Sequence, residues 1–271
     1  MLSFEEIKFL KQKAKEMRKT IIEILYNAGS GHPGGSLSIV EILLYLYYKE
    51  IKIDLDNPWD TNRNMLILSK GHGCPALYAI LADIGLFSRE VLKTYKKLNS
   101  ILQGHPDRKK TPGVDMSTGS LGQGLSVAAG CALADKIKGS PYKTYVILGD
   151  GEIQEGQVWE AAFFASKQKL DNLCAFIDYN GLQLTSSVKD IFGNRDLASI
   201  WRDLGWHCVE IDGHNFEEID SAVQLQVTKP KMIIAHTIKG KGVSFMENKI
   251  EWHSQKISQQ DFERAMMELG R

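Results

Sequence analysis

The chain has 271 residues, 43% of them hydrophobic, with 33 basic and 33 acidic side chains. That is enough to bury a core, and the balanced charge excludes the field that would gather nucleic acid or an anionic membrane. Cys74, Cys131, Cys174 and Cys208 lie far apart without a C-x-x-C pair, which argues against a zinc site or a disulfide framework and fits a cytoplasmic protein.

Residues 1–18 are charged and helical in pattern, with no signal-peptide core. Ser3 and Glu6 form a capping box, and Phe4, Ile7, Leu10, Ala14, Met17, Ile21 and Leu25 follow at helical spacing. The Gly-rich turn at 30–35 ends that helix. Ser38 with Glu41 offers a second capping box, predicting a helix to about residue 51. Its apolar run, 39–48, is broken by Glu41 and is too short to span a bilayer. Residues 65–68 form a short apolar run ending at Ser69-Lys70-Gly71-His72-Gly73. Pro75 then opens a helix at its first turn, and Ser88 begins another through residue 98.

From the middle onward, strands at 142–148, 173–178, 207–211 and 232–235 alternate with helices at 157–169, 197–204 and 216–227, the last capped by Asn215. A final helix starts near Ser258. Continuous apolar strands alternating with helices predict an α/β fold, a doubly wound parallel sheet with helices on both faces, in one domain over 1–271. There is no G-x-G-x-x-G after the first strand and no Walker-type loop, so a nucleotide-binding reading is weak.

The strand at 142–148 runs directly into Gly149-Asp150-Gly151-Glu152, and the next ends at Asp178-Tyr179-Asn180. Ligands of open α/β sheets sit beyond the carboxyl ends of the strands. Asp150 is a hard oxygen donor suited to Mg²⁺, and Gly149 and Gly151 let the backbone approach a phosphate. If the two strands are neighbours, Asn180 and Asp150 project into one crevice and can share an octahedral ion. The interval between Gly151 and Asn180 is about one strand-helix-strand crossover.

Gly149-Asp150-Gly151 followed by Asn180 resembles the thiamine diphosphate-binding motif. The resemblance implies that Asp150, Asn180 and the carbonyl of Leu182 hold Mg²⁺, for which Ca²⁺ or Mn²⁺ can substitute. The family often has Asn-Asn where this chain has Asn180-Gly181.

Four of the seven histidines lie in Gly-rich or loop-like settings: His32, His72, His105 and His253. None has the i, i+4 partner of a zinc site. His207, His214 and His236 read as ordinary exposed or hydrogen-bonded side chains. The segments Ser30-Gly31-His32-Pro33-Gly34, Ser69-Lys70-Gly71-His72, Gly104-His105-Pro106 and Gly119-Ser120-Leu121-Gly122-Gln123-Gly124 resemble transketolase, in order, over nearly the whole chain. That resemblance places His32 and His105 at the donor sugar and His72 and His253 near the diphosphate, with His253 also assisting proton transfer. Gly119 and Leu121 would line the aminopyrimidine. Imidazoles suit this work because they exchange protons near neutral pH.

The four glycines at 119, 122, 124 and 130 also fit a tightly packed helix that needs little side-chain volume. By composition Glu155 and Glu160 are a solvated helix face. The resemblance instead places them at a subunit interface, with Glu155 among the cofactor-site residues.

In the family, the Glu that activates the cofactor's pyrimidine ring and the basic residues for the sugar phosphate lie on a downstream pyrimidine-binding domain. The expectation is therefore a split transketolase of the pentose phosphate pathway. This chain would be its N-terminal subunit, joined by a C-terminal subunit in a heterotetramer acting on sugar phosphates. Three alternatives remain: a relative of 1-deoxy-D-xylulose-5-phosphate synthase, disfavoured by Gly104-His105-Pro106; another two-chain ketol transferase acting on an unusual sugar phosphate; and a non-catalytic cofactor-binding partner.

Overall fold

A computed structural model describes residues 1–270. Helix α1 (Phe4–Ala28) opens with the capping box reciprocally formed: Ser3 Oγ accepts from the Glu6 amide, and the Glu6 carboxylate accepts from the Ser3 amide. Its inward stripe, Leu10, Ala14, Met17, Ile21 and Leu25, is buried, and Gly29 closes it in the left-handed conformation.

The second capping box does not form. Ser38 Oγ turns inward to donate to Asp178, while Glu41 is buried against Arg18. The predicted helix is α3 (Val40–Tyr45) followed by a π-helical turn over Leu46–Glu50, and the segment read as a Gly-rich turn carries a further short helix, α2 (Pro33–Leu37), with Pro33 in its first turn. Pro75 stands in the first turn of α4 (Cys74–Asp83), as expected. Ser88 caps a shorter 3₁₀ segment, Arg89–Thr94, rather than a helix reaching residue 98.

Five parallel strands form the sheet: β1 (Met65–Leu68), β2 (Thr144–Gly149), β3 (Leu173–Tyr179), β4 (His207–Asp212) and β5 (Lys231–His236), in spatial order β1-β2-β3-β5-β4. Both faces are covered, and period-two alternation sorts the strand side chains between them. Tyr145, Ile147, Cys174, Phe176, Ile233 and Ala235 join the core packed by α1, α3, α4, α9 (Phe216–Gln224) and α10 (Gln259–Gly270). Val146, Leu148, Ala175, Ile177, Met232 and Ile234 join the opposite core, under α5 (Gln123–Lys138), α6 (Gly156–Lys167) and α8 (Leu197–Asp203). A short helix outside the sequence-based expectations, α7 (Val188–Phe192), follows the Asn180 turn and is capped by Ser187, whose Oγ accepts from the Asp190 amide.

Asn215 caps α9 by accepting from the amides of Glu217 and Glu218. The Gly-rich stretch before α5 is only partly a packing device. A Cβ at Gly124 would lie 2.3 Å from Ser69 Oγ, whereas one at Gly130 would meet nothing within 4 Å. The four cysteines are free, and no helix among the described residues is long and apolar enough to cross a membrane.

Candidate functional site

The register pairs Gly149 with Asp178. The turns after β2 and β3 therefore meet at the carboxyl edge of the sheet, and Asp150 and Asn180 face one crevice. Asp150 Oδ2 accepts from the Gly181 amide at 2.6 Å and Oδ1 from the Gly151 amide at 2.8 Å. Asn180 Oδ1 accepts from the Leu182 amide at 3.2 Å. Gly181 has φ +76°, a left-handed conformation that Gly adopts freely and that Asn adopts more readily than most other residues. That explains how Asn180-Gly181 replaces Asn-Asn without disturbing the turn.

A cleft of about 410 Å³ opens over this edge. It is lined by every cofactor-site and catalytic residue expected from the sequence: His32, His72, His105, Gly119, Leu121, Gly149, Asp150, Gly151, Glu155, Asn180, Leu182 and His253. Glu155 is exposed at the start of α6, and Leu121 is also partly exposed. Glu160 is solvent-exposed and does not line the cleft.

The four histidines converge from separate segments. His32 precedes α2, His72 sits in the 3₁₀ turn after β1, His105 lies in the loop before α5, and His253 ends a 3₁₀ turn near the C-terminus. Ring centroids of His32 lie 5.3 Å from His72, 5.5 Å from His253 and 6.4 Å from His105, and His72 is 5.3 Å from His253. A Cβ on Gly119 (φ +139°) would lie 2.9 Å from the His105 ring, so that residue's bareness lets the loop close on the cluster.

Sequence reasoning assigns no role to the cations of the site. Lys70 is 1% exposed and pairs with Asp178, which also accepts from Ser38, Asn180 and Thr237. Lys239 is 2% exposed; its Nζ donates to the Leu182 carbonyl at 3.3 Å and to His253 Nδ1 at 3.2 Å. Glu152, also buried, accepts from the amides of Gly149 and Gly122 and from Ser69, tying the Gly119–Gly124 loop to the end of β2. Lys70 stands inside a recognised motif and Lys239 in the Gly-rich run after β5, but burial at one edge is not readable from either.

The charge pattern favours a metal-bound anion. Burial, then the neighbouring Asp178, pushes the Asp150 carboxyl up to about 7, so a cation on its open side would be stabilising. Asp150, Asn180 and the Leu182 carbonyl supply oxygen, but no group of three or more His, Cys, Asp or Glu among the described residues could hold a metal unaided. Such a short donor set suits Mg²⁺, which completes its shell with phosphate oxygens and water. Two buried ammonium groups beside it suit the phosphates themselves.

Burial, then Lys96, lowers His32 to about 4, and burial, then Lys239, lowers His253 to about 3. Burial, then Lys70, lowers His72 as well. These imidazoles are therefore neutral at neutral pH, able to donate at one nitrogen and accept at the other, and His32 Nδ1 is buried without a partner. The unfolded chain takes up their protons near 6.5 while the folded chain resists, so stability falls as pH drops below about 6.5 and levels off only below the folded values. Histidine proton NMR is expected to show His32 and His253 flat between about pH 5 and 8. A midpoint near 6.5 for either would contradict this reading.

A family model described as "Transketolase, thiamine diphosphate binding domain" matches residues 10–271. The chain is 47% identical to a 6-deoxy-6-sulfo-D-fructose transketolase subunit of Clostridium sp. (strain MSTE9), covering 96% of each. It is 39% identical to an apulose-4-phosphate transketolase subunit of Phocaeicola vulgatus, over 98% of this chain and 95% of the relative. Human transketolase is 37% identical over 98% of this chain, which spans 42% of the human protein. The crystal structure of transketolase from Campylobacter jejuni superposes with a TM-score of 0.91 at 32% identity, covering 97% of this chain and 43% of that one.

Proposed function

The chain belongs to the transketolase family, and from that premise we propose that it is the N-terminal subunit of a transketolase, transferring a two-carbon ketol unit from a ketose phosphate to an aldose phosphate. The observation that carries this reading is the convergence of His32, His72, His105 and His253 above Asp150, Asn180, Lys70 and Lys239 in one cleft. Residues 1–271 would act as one diphosphate-binding domain in the cytoplasm, within the pentose phosphate pathway.

Asp150, Asn180 and the Leu182 carbonyl would hold Mg²⁺, with Ca²⁺ or Mn²⁺ as substitutes. His72, Gly149, Gly151, Asn180 and His253 would surround the diphosphate. Gly119 and Leu121 would line the aminopyrimidine end, and Glu155, at the rim of the cleft, would stand at the cofactor site beside the subunit interface. When bound, thiamine diphosphate supplies the nucleophilic carbon and the electron sink. The protein's own work is orientation and proton handling. Neutral His32 and His105 donate N–H bonds to the donor sugar's oxygens, and His253 accepts or returns a proton beside them. Lys70 and Lys239 fix the anionic end.

Relatives named as subunits, covered nearly end to end, support a second polypeptide carrying the pyrimidine-binding domain and the sugar-phosphate contacts, in a heterotetramer. The relative at 47% identity favours one further donor, a ketose bearing a sulfonate in place of phosphate.

The test mixes the chain with its candidate partner, thiamine diphosphate and Mg²⁺, and assays ketol transfer from ketose phosphate and sulfonate donors. Activity is expected only from the mixture. Robust transfer by this chain alone would overturn the two-subunit reading, and a mixture that binds no cofactor would overturn the central one.

A further inference from the structure

We propose that Arg18, Glu41 and His214 are positioning residues that clamp the turn after β5 at two points, thereby holding Lys239 against the diphosphate end of the cleft. The chain of contacts is continuous. The Ile238 amide donates to His214 Nε2 at 2.9 Å. Because a backbone N–H can only donate, Nε2 is the acceptor and Nδ1 carries the proton. That Nδ1 faces Glu41 Oε2 at 2.9 Å and donates to it. Arg18 Nη2 donates to both Glu41 oxygens, at 2.7 and 2.8 Å. Arg18 Nε closes the loop on the same turn, donating to the Lys241 carbonyl at 2.9 Å.

The network thus grips residue 238 at one end and residue 241 at the other, with Lys239 between them. Its three members come from α1, α3 and the turn before α9, so distant elements fix a turn of a few residues. Arg18 and Glu41 are 6% and 5% exposed. Burial would raise the Glu41 carboxyl, yet Arg18 and His214 hold it below its ordinary range, so the acceptor remains charged. A largely buried hydrogen-bond network of this kind rigidifies what it touches. The Gly240 amide adds a third tether, donating to the Gly34 carbonyl at 3.0 Å beside His32.

Nothing else in the site requires a histidine at 214, which lies outside the cleft. Its effect reaches the cofactor only through Lys239, so its functional meaning rests on the proposed diphosphate site. The mechanical link does not.

Trace labelling of lysines with an amine-reactive reagent in the full chain, read by mass spectrometry, separates the two. Lys70 is the internal control, since it is as buried as Lys239 but pinned by Asp178. His214→Asn keeps an amide donor for Glu41 but cannot reach the Ile238 amide, and it is milder than His214→Ala. It is expected to raise Lys239 labelling about five-fold or more while Lys70 stays unchanged. His214→Gln presents an acceptor and a donor at the spacing of the two ring nitrogens and should restore protection.

Unchanged Lys239 labelling in His214→Asn, or a parallel rise at Lys70 and Lys239, would overturn the proposal. In the assembled enzyme, the same variant should raise the cofactor concentration for half-maximal activity about ten-fold with kcat at saturation retained. An inactive wild-type assembly would count against the proposed function alone, because the labelling result stands without it.

Discussion

Asp150→Ala is expected to abolish Mg²⁺-dependent binding of thiamine diphosphate, weakening it on the order of a hundred-fold or more. Asp150 is the only carboxylate among the three proposed metal-holding groups, and it is 3% exposed. Asn180 and the Leu182 carbonyl contribute dipoles but no charge, so they cannot replace it against a divalent ion. Asp150→Asn sharpens the result. It retains the side chain's size and an oxygen for the Gly181 amide, yet removes the charge. Both variants should lose the metal-dependent component of binding when cofactor is titrated with and without Mg²⁺. If Asp150→Asn binds like the parent chain, the carboxylate serves only to order the Gly181 turn, and the metal ligands are misassigned.

The second large effect is on stability. Lys70→Met should cost about 3–5 kcal/mol, because removing one member of a buried ion pair leaves the other uncompensated. Asp178 is 0% exposed, and Lys70 holds its carboxyl below the ordinary range against the opposing effect of burial. Ser38, Thr237 and Asn180 still hydrogen-bond Asp178 in the variant, but none brings positive charge. For a chain of this size, each kcal/mol moves the midpoint by roughly 2–4 °C, so thermal unfolding should fall by about 10 °C. Lys70→Met combined with Asp178→Asn should recover much of that loss, since the stranded charge is gone. A single variant that unfolds within a degree or two of the parent would show that Asp178 takes up a proton instead and that the pair contributes little.

These two residues differ in how they could be found. Asp150 is legible because a hard acid between glycines, at a strand end and one crossover before Asn180, has few other uses. Lys70 stands within a motif whose histidine and glycines draw the attention, and nothing local gives the lysine a role. Its partner Asp178 is remote in sequence, and β2 lies between their strands, so only the sheet order brings them together. The Ser38 capping box fails for the same reason. Its local pattern is sound, but a buried Asp178 across the core competes for the hydroxyl and wins. His214 looks unremarkable because its partners, Glu41 and the Ile238 amide, are far from it along the chain.

The sequence by itself determined four of the five strands and most helices, since apolar period and capping chemistry are local properties, whereas β1 reads only as a short apolar run. Through its short motifs it also pointed to the carboxyl ends of two of those strands as the proposed site. It named the oxygen donors and the four histidines, because each stands in a segment whose glycines are informative. Only the tertiary structure decided that the histidines share one cleft, that Lys70 and Lys239 are its buried cations, and that Arg18, Glu41 and His214 brace it from behind. Burial and pairing between remote segments set those features. A charged side chain carries no local sign of whether it will face water or a partner across the core.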